Sequence, residues 1–565
     1  MSSITRVEPA PSVVTVADLL LARAADSHLG LRTRERDWTW AEVVAESIAR
    51  TGLARELISA GPPHIGVYLD NDPEYLLWVG AAALGGFAIV GLNKTRRTEQ
   101  LDDEIRRTDC RIVVTDRAGL ARLPLPELEA GGVRVLVVGE ADYAAKLAPH
   151  RGTPLPVSGS VDPDRLLLLL FTSGTTGRSK AVRCSQGRLA QRGLAASRRD
   201  GVGRDDVCLA CMPLFHGNAL MALWAPALAV GATVVLTGKF SASRFIDDVR
   251  DFGVTYFTYV GKAIAYVLAT PERADDLDNE LVRAFGTEAS SHDRHRFRER
   301  FGCELIEGYG STESSGLVLR DPAAPETALG RPAPQVAVID PETLEECPRA
   351  VVDATGRVLN PEQAVGEIVD RAGAASFEGY YNDPEATAAR LHHGWVWTGD
   401  LGYVDEGGFL HFGGRRGDWL RVDGENISAL TVERIVERHP DVVSAAAFGI
   451  PDARSGDALM IAVQLAEGRS FDGEDFLAYL AAQPDLGAKE LPLFVRVAEQ
   501  LPTTGSNKVV KAPLVATAWC CDDRVFWRAG REAREYREFG PQDRAALSAE
   551  FARHERGHLL PLAPV

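Results

Sequence analysis

The stretch LLLLLFTSGTTGRSKAV occupies residues 166–182 and determines how the rest of the chain is interpreted. It begins with five leucines and a phenylalanine, which is typical of a strand buried on both faces of a sheet. The following residues are mostly glycine, serine and threonine, and they lead to Lys180. Small residues let backbone N–H groups and hydroxyls converge on one point, which suits the phosphates of a nucleotide. The stretch therefore predicts a phosphate-binding loop at the end of a buried strand.

This loop is not a Walker A motif. That motif requires G-x-x-x-x-G-K-[ST], whereas counting from Gly174 places Ser179 where the second glycine should stand. The sequence also lacks a G-x-S-x-G elbow and a strand-linked G-x-G-x-x-G, which argues against a hydrolase or a dehydrogenase. The candidate phosphate ligands are Thr172, Ser173, Gly174, Thr175, Thr176, Gly177 and Lys180.

The composition is that of an ordinary globular protein. With 565 residues the chain exceeds what one hydrophobic core usually serves, so at least two domains are expected. The net charge of −17 disfavours a nucleic-acid partner, because binding a phosphate backbone requires a basic surface. The eight cysteines are thinly spread and the N-terminus lacks a basic-then-apolar signal peptide. We therefore expect a cytoplasmic protein.

The segment YLLWVGAAALGGFAIVGL, residues 75–92, meets the length rule for a membrane span. However, two adjacent glycines at 85 and 86 divide it, and its second half has the composition of a short strand. This division favours a buried helix followed by a strand over a membrane helix. No integral membrane segment is expected, and peripheral association stays open.

Apolar β-rich runs alternate with helical patterns up to the neighbourhood of residue 410, which is typical of an α/β fold with helix-covered sheets. A glycine- and charge-rich segment near residue 415 then introduces a new α+β alternation. The sequence thus predicts a large N-terminal domain (1–415), a small α+β domain (416–515) and a C-terminal extension (516–565). The aromatic residues of the extension favour docking on the chain itself over docking on a partner. The predicted strands include HIGVYL (64–69), RIVVTD (111–116), VRVLVVG (133–139) and ATVVLTG (232–238), and the predicted helices include 41–53 and 242–252.

Further motifs follow the phosphate loop in a fixed order. Together they resemble the adenylate-forming superfamily, which comprises acyl-CoA synthetases, luciferase and the adenylation domains of peptide synthetases. The resemblance extends over roughly residues 15–515. It rests on the loop and on IEGYGSTE (306–313), GYYNDPEAT (379–387), WTGDLG (397–402), GRRGD (414–418) and LPTTGSNKVVK (501–511).

The resemblance implies roles for individual residues. Tyr309, with Gly310 beside it, would stack on adenine, Thr312 would contact phosphate, and Glu313 would hold Mg²⁺, a cation that prefers carboxylate and phosphate oxygens. Asp400 and Arg415 would contact the ribose, and Asp418 would be the hinge of a mobile small domain. Lys508 would offset the negative charge that develops during adenylation.

The activity implied has two steps and consumes ATP. A carboxylate attacks the α-phosphate to give an acyl-AMP, and the small domain then rotates so that a thiol, expected to be CoA, accepts the acyl group. The chain is thus predicted to be an AMP-forming acid–thiol ligase that requires ATP and Mg²⁺. Its partners are expected to be small molecules, and it is expected to be a monomer or a homodimer.

Two features narrow the subfamily and the acyl pocket. The segment PLFHGNA (213–219) resembles the motif whose histidine, here His216, lines the acyl pocket and gates thiol entry. The segments 91–97, 280–290 and 519–532 resemble the fatty-acid transport and very-long-chain acyl-CoA synthetase branch, and most closely its soluble actinobacterial members. Asn218 and Glu288 are the further candidate pocket residues, and Glu288 either places a charge beside the nucleotide and the acyl pocket or turns to solvent.

Alternatives to a fatty-acid–CoA ligase stay open at this point. A natural-product enzyme that activates an unusual acid, such as nitrite for diazotisation of an aromatic amine, would keep every ATP motif and differ only in the pocket. A non-catalytic nucleotide or acyl sensor is disfavoured, because Lys180, Glu313 and Lys508 are all present.

Overall fold

The fold is described from a computed structural model. It covers residues 14–154, 161–172, 178–314, 318–321, 323–325, 327–353, 358–415, 419–422, 425–453, 457–487, 490–504, 509–530 and 533–561.

The first part of the chain alternates helices and strands. Its strands are β1 Leu29–Arg32, β2 Asp37–Thr39, β3 His64–Tyr68, β4 Ala88–Gly91, β5 Cys110–Thr115 and β6 Arg134–Val137. Its helices are α1 Val16–Leu21, α2 Trp40–Leu57, α3 Pro73–Gly85, α4 Thr98–Arg107, α5 Arg117–Leu120, α6 Leu125–Ala130 and α7 Ala141–Leu147, followed by a 3-10 turn at Ala148–His150.

The second part begins with the five-leucine strand. Its strands are β7 Leu166–Thr172, β8 Lys180–Ser185, β9 Val207–Leu209, β10 Thr233–Val235, β11 Tyr256–Val260, β12 Arg283–Thr287 and β13 Glu304–Tyr309. Its α-helices are α8 Gln186–Arg199, α9 Ala225–Val230, α10 Phe245–Phe252, α11 Gly261–Leu268 and α12 Ser291–Phe301. A π-helix spans Asn218–Trp224, and a 3-10 turn spans Ala242–Arg244.

The third part is mostly strand. It contains β14 Val318–Leu319, β15 Ala328–Pro332, β16 Val336–Ile339, β17 Gly366–Asp370, β18 Leu391–His392, β19 Trp395–Val404 and β20 Leu410–Arg415. Its helices are α13 Pro361–Ala364 and α14 Pro384–Arg390, with a 3-10 turn at Gly373–Ala375.

The last part has its own sheet and helices. Its strands are β21 Trp419–Val422, β22 Glu425–Ser428, β23 Val442–Pro451, β24 Asp457–Leu465, β25 Phe494–Ala498, β26 Arg524–Trp527 and β27 Arg537–Glu538. Its helices are α15 Ala429–Val436, α16 Gly473–Ala481, α17 Ala512–Thr517 and α18 Pro541–Arg553, followed by a 3-10 turn at Gly557–Leu559.

Two sheets dominate the large N-terminal domain. One is six-stranded in the order β6-β5-β3-β4-β7-β8, parallel except for the pairing of β7 with β8. The other has fourteen strands, with a parallel half that runs from β13 through β12, β11, β9 and β10 to β1. Its other half, from β14 to β20, is antiparallel. Helices pack against these sheets and share one apolar core, so the predicted α/β class is confirmed.

The apolar segment 75–92 forms a buried helix and a strand, as predicted. Helix α3 is capped at its start by Asp72, which accepts a hydrogen bond from the Glu74 N–H, and it ends at Gly86, whose φ of 71° is left-handed. Its residues from Tyr75 to Leu84 are buried, and β4 follows inside the six-stranded sheet. Among the described helices none is long and apolar enough to cross a membrane.

The C-terminal segment beyond residue 515 extends the sheet of the small domain. Strands β26 and β27 continue that sheet in the order β23-β24-β25-β26-β27. Helix α18 covers it with Phe551, which is fully buried and lies 6.1 Å from the Trp519 ring, centroid to centroid. The Trp519 ring in turn stacks on Phe494 of β25 at 5.2 Å. The segment therefore docks on the chain itself, while the exact domain boundaries at 415 and 515 stay predictions.

This packing predicts that Phe551→Ala destabilises the small domain. Truncating a fully buried phenylalanine removes its apolar contacts and leaves a cavity, which costs about 3–5 kcal/mol. Chemical denaturation followed by intrinsic fluorescence measures the loss. Val515→Ala is the control, because Val515 is 43% exposed and its truncation should change the free energy of unfolding by no more than about 0.5 kcal/mol. Equal effects of the two changes would contradict the docking.

Candidate active site

The carboxyl ends of two strands from different sheets meet at one point. Strand β7 ends at Thr172 in the six-stranded sheet, and β13 ends at Tyr309 in the large sheet. The Thr172 hydroxyl donates a hydrogen bond to Oε1 of Glu313 at 3.2 Å, which joins the two ends. Ligands of α/β proteins bind at the carboxyl ends of parallel strands. The junction is therefore the candidate active site.

Glu313 is the central acid of this junction. It is only 4% exposed, and its Oε1 also accepts a hydrogen bond from the Tyr380 hydroxyl at 2.9 Å. The Arg390 guanidinium lies 4.0 Å from the same oxygen. A buried carboxylate requires such partners, because an uncompensated charge is costly away from water. Burial, with the Glu313 charge beside it, raises the pKa of Tyr380 well above its usual range, so its hydroxyl stays a donor.

Lys180 lies beside this acid. It stands opposite Thr172 in the β7–β8 pair, and its Nζ is 5.4 Å from the centroid of the Tyr380 ring. Tyr380 is fixed by its own backbone, whose N–H donates to the Thr387 hydroxyl at 2.9 Å. The predicted phosphate-binding lysine and the predicted metal-binding carboxylate are thus brought together by one tyrosine.

Tyr309 and Asp400 form the second half of the site. The Tyr309 hydroxyl donates to Oδ2 of Asp400 at 2.8 Å, and burial together with Asp400 raises the pKa of Tyr309 well above its usual range. The Asp400 backbone N–H donates to the Thr398 hydroxyl, and that hydroxyl donates to the Ile368 carbonyl at 2.7 Å. Asp400 is therefore held in place by contacts within β19 and with β17, and its hydrogen bond to Tyr309 of β13 joins the two predicted adenosine contacts.

The loop with His216 packs directly against Thr312. A Cβ placed on Gly217 would lie 3.2 Å from the Thr312 hydroxyl and 3.5 Å from the Met221 sulfur. The His216 ring contacts Phe215, with centroids 5.0 Å apart, and the π-helix that begins at Asn218 follows at once. A π-helical turn is uncommon and often marks a functional site. The segment of His216, the predicted acyl-pocket residue, is thus next to Thr312, the predicted phosphate contact. Gly310, two residues before Thr312, is exposed.

Asn218 and the backbone beside Glu288 are connected by hydrogen bonds that involve Tyr259 and Glu307. The Asn218 amide donates to the Tyr259 carbonyl at 3.3 Å, and the Tyr259 hydroxyl donates to Oε1 of Glu307 at 2.7 Å. Glu307 also accepts from the Ala289 N–H at 3.1 Å, and burial raises the pKa of its carboxyl. Glu288 itself is exposed and has a left-handed backbone with φ of 72°. Its exposure fits the interpretation of a carboxylate turned to solvent, and its role in the pocket stays a prediction.

Part of the predicted site lies outside the described residues. This part comprises Ser173, Gly174, Thr175, Thr176, Gly177, the hinge Asp418 and the catalytic Lys508. For Arg415 the backbone is described and pairs with Asp400 between β19 and β20, whereas its side chain is not.

Three residues of the junction were not singled out from the sequence. Tyr380 and Arg390 contact the Glu313 carboxylate, and the Arg188 guanidinium donates to the Glu313 carbonyl at 2.6 Å. Tyr380 lies inside the recognised motif GYYNDPEAT, so its position was available as a signal although its partner was not. Arg188 and Arg390 lie on helices, where a lone arginine resembles any surface residue.

The chain matches known families over most of its length. The AMP-binding enzyme family matches residues 22–381, and the AMP-binding enzyme C-terminal domain family matches residues 431–508. Steroid-22-oyl-CoA synthetase of Rhodococcus jostii is 56% identical over 547 residues, which are 97% of this chain and 99% of that protein. Medium/long-chain-fatty-acid–CoA ligase FadD17 of Mycobacterium tuberculosis is 41% identical over 517 residues, 91% of this chain and 99% of the relative.

Solved structures of similar fold are more distant in sequence. ATP-bound MatB from Rhodopseudomonas palustris has a TM-score of 0.77 at 24% identity, covering 89% of this chain and 99% of its own. The anthranilate CoA ligase AuaEII, in complex with anthranoyl-AMP, has a TM-score of 0.79 at 19% identity, covering 88% and 96%. These likenesses confirm the fold, with its large N-terminal and smaller C-terminal domain.

The geometry around Glu313 predicts the effect of Tyr380→Phe. Removing this hydroxyl deletes one of the donors that orient the carboxylate, and the loss of such a supporting partner costs about tenfold or more in metal affinity or activity. ATP–pyrophosphate exchange measured against Mg²⁺ concentration should therefore show half-saturation at a higher concentration.

Tyr381→Phe is the matched control. Its hydroxyl donates to Asp109 at 2.8 Å, so the change deletes an equivalent hydrogen bond that does not involve Glu313. If both variants shift the Mg²⁺ dependence equally, the orienting role of Tyr380 is wrong.

Proposed function

Since the chain belongs to the AMP-binding enzyme family and is an AMP-forming acid–CoA ligase, we propose that its acid is the side-chain carboxylic acid of a steroid. The observation that carries this proposal is the 56% identity to a steroid-22-oyl-CoA synthetase along nearly the full length of both proteins. The identity to a medium- and long-chain fatty-acid ligase is lower, at 41%. A fatty acid is therefore the second candidate.

The pocket side of the site supports a bulky apolar acid. The π-helix that follows His216 carries the buried side chains of Leu220, Met221 and Trp224, so the side of the site where the acyl group is expected is apolar. Apolar side chains with a few placed polar groups are typical of small-molecule pockets. A rigid polycyclic skeleton gains from such walls, because it buries a large area with little loss of conformational freedom.

The proposed reaction has two steps at one site. The substrate carboxylate attacks the α-phosphorus of ATP, and pyrophosphate leaves with the electron pair of the broken P–O bond. The CoA thiol then attacks the acyl carbon, and AMP leaves as the acyl C–O bond breaks. Lys180, Thr172 and Thr312 would contact phosphate, whereas Tyr309 and Asp400 would contact the adenosine; the contacts of Thr172 with Lys180 and Glu313, and of Tyr309 with Asp400, support this division.

Glu313 would hold Mg²⁺. A carboxylate supplies the oxygen ligands that Mg²⁺ prefers, and the Thr172 hydroxyl is 3.2 Å from Oε1. The three described contacts of the carboxylate, from Thr172, Tyr380 and Arg390, all reach this same oxygen. When bound, Mg²⁺ neutralises charge on the phosphates. The residues of this chain orient the carboxylate and exclude water from it.

Two further parts of the proposal concern the surroundings of the chain. All eight cysteines lie in the described part and are free thiols, which supports a reducing, cytoplasmic compartment. A monomer or a homodimer is the proposed oligomeric state.

Exchange of pyrophosphate into ATP across a panel of acids tests the function. The panel contains a steroid with a short carboxylic side chain, decanoate, palmitate, benzoate and nitrite, each followed by analysis for the CoA thioester. The steroid acid should give the highest kcat/KM. A preference for palmitate would contradict the steroid proposal and favour a fatty acid as the substrate. Exchange with nitrite alone would favour the diazotisation alternative. None of the relatives named above has a name that indicates diazotisation.

Lys508→Ala tests the assignment of the adenylation lysine. The variant should lose adenylation by a factor of about 10² or more, because it removes a charge that acts on the transition state. It should retain thioester formation from supplied acyl-AMP and CoA, since that step does not use this charge. Lys511→Ala is the control, because Lys511 forms an ion pair with Glu433 at 2.9 Å. Adenylation that survives in Lys508→Ala and fails in Lys511→Ala would reverse the assignment.

A further inference from the structure

Helix α8 carries two arginines one turn apart. Arg188 and Arg192 are related by four residues, so they lie on one face of the helix. This helix begins directly after β8, the strand that starts with Lys180. Two cations thus line the wall behind the candidate active site.

Arg188 has a defined structural task. Its NH2 group donates to the Thr312 and Glu313 carbonyls, at 3.3 and 2.6 Å. It therefore holds the backbone of the two residues predicted to contact phosphate and metal. Its Nε and NH1 atoms are buried and have no hydrogen-bond partner among the described residues.

Arg192 has no such task. Its NH1 donates to the Met221 sulfur at 2.9 Å, and a thioether is a weak acceptor. Among the described residues no carboxylate lies within ion-pair distance of this guanidinium, and Glu313 and Glu378 act on it only from farther away. Burial, and then the charge of Arg188, lower the pKa of Arg192 to about 10, so it remains a cation at neutral pH. A half-buried cation without a counter-charge is unfavourable, and a like charge one turn away adds to that cost.

The position of Arg192 connects this cation to the reacting groups. The Met221 sulfur and the Thr312 hydroxyl lie within 3.5 Å of the same point, the Cβ position of Gly217. Arg192 is therefore linked to the neighbourhood of Thr312 through the Met221 sulfur and Gly217. That thioether belongs to the π-helix that follows His216, which places Arg192 on the acyl side of the site.

The reaction requires an anion at this place. The acid is activated as its carboxylate, and that group must approach the phosphate contact Thr312 from the acyl pocket. We propose that Arg192 binds the carboxylate of the incoming acid, with the flexible Met221 side chain moving aside to admit it. This inference rests on acid activation at the Thr312–Glu313 site. Arg192 would be a substrate-binding residue. Its ion pair with the carboxylate would be lost when adenylation converts that group into an uncharged acyl group of a mixed anhydride.

Arg192→Gln separates carboxylate recognition from a merely structural role. The test uses the acid of the panel that gives the fastest exchange in the unaltered chain, together with its primary carboxamide, which has the same skeleton and no charge. The KM of the acid should rise about 30-fold, within the range measured when one partner of a buried charge pair is removed. Two other constants should change less than about threefold: the KM of ATP, and the inhibition constant of the carboxamide measured against the acid. Neither should depend on an ion pair between Arg192 and a carboxylate.

Two further variants complete the experiment. Arg192→Lys keeps the charge and should restore the acid KM to within about fivefold of the unaltered chain, since an ammonium still attracts a carboxylate. Arg198→Gln removes an exposed arginine from the same helix and should leave all three constants unchanged. Calorimetric titration of acid and carboxamide into the nucleotide-free protein should show the same selective loss in Arg192→Gln.

The proposal is overturned if Arg192→Gln weakens the acid and its carboxamide equally, since that outcome assigns Arg192 a packing role. It is also overturned if the acid KM does not move. Failure of the proposed function would look different: the unaltered chain would then show no exchange with the steroid acid, whereas the arginine test runs with whichever acid supports exchange.

Discussion

The hydrogen bond from Thr172 to the buried carboxylate of Glu313 joins the two main sheets where their parallel strands end. A carboxylate that is 4% exposed would be strongly destabilising there without donors, so the surrounding segments must supply them. For the carboxylate these are Tyr380 from the segment after β17 and Arg390 at the end of α14, while Arg188 of α8 donates to the backbone carbonyl of the same residue. Each donor ties a different element to one acid. The relative position of the elements is therefore fixed by the requirement to solvate Glu313.

This constraint also prepares the site for chemistry. Donors that are held by backbone and sheet contacts before a ligand arrives need no reorganisation when charge develops. Tyr380 is fixed by its N–H bond to Thr387, and Asp400 by the Thr398 hydroxyl. The predicted phosphate contacts lie at the ends of β7 and β13, and the predicted adenosine contacts lie on β13 and β19. A nucleotide that binds both groups of residues would contact both sheets.

The sequence predicted those parts of the molecule that depend on local pattern. Continuous apolar runs predicted buried strands such as 64–69 and 166–171. The two adjacent glycines in 75–92 predicted a helix followed by a strand. The motif order also grouped Thr172, Lys180 and Glu313 in one site, and in the structure Thr172 contacts Glu313 and pairs with Lys180, while their roles stay predictions. The contacts of Arg188 and Arg192 could not be predicted, because they depend on which face of α8 meets the large sheet. Strands as short and charged as β27 carry no periodic signal, and they form only because a partner strand is already in place.

The net negative charge of the chain makes the two cations of α8 important for the binding of an anionic acid. A net charge of −17 repels an anionic acid at long range, yet this repulsion is screened beyond about 8 Å at physiological salt. Within that distance the field is set by the nearest groups, and at the acyl side of the site these include Arg188 and Arg192. Arg188 donates to the Thr312 and Glu313 carbonyls, whereas Arg192 has only the Met221 sulfur as a hydrogen-bond acceptor and no carboxylate at ion-pair distance within the described part of the chain. If the proposed role of Arg192 holds, an acidic protein that must admit both a carboxylate and a nucleotide gains from this half-buried cation, because it lies beside Met221 and the segment of His216, where the acid is expected to enter.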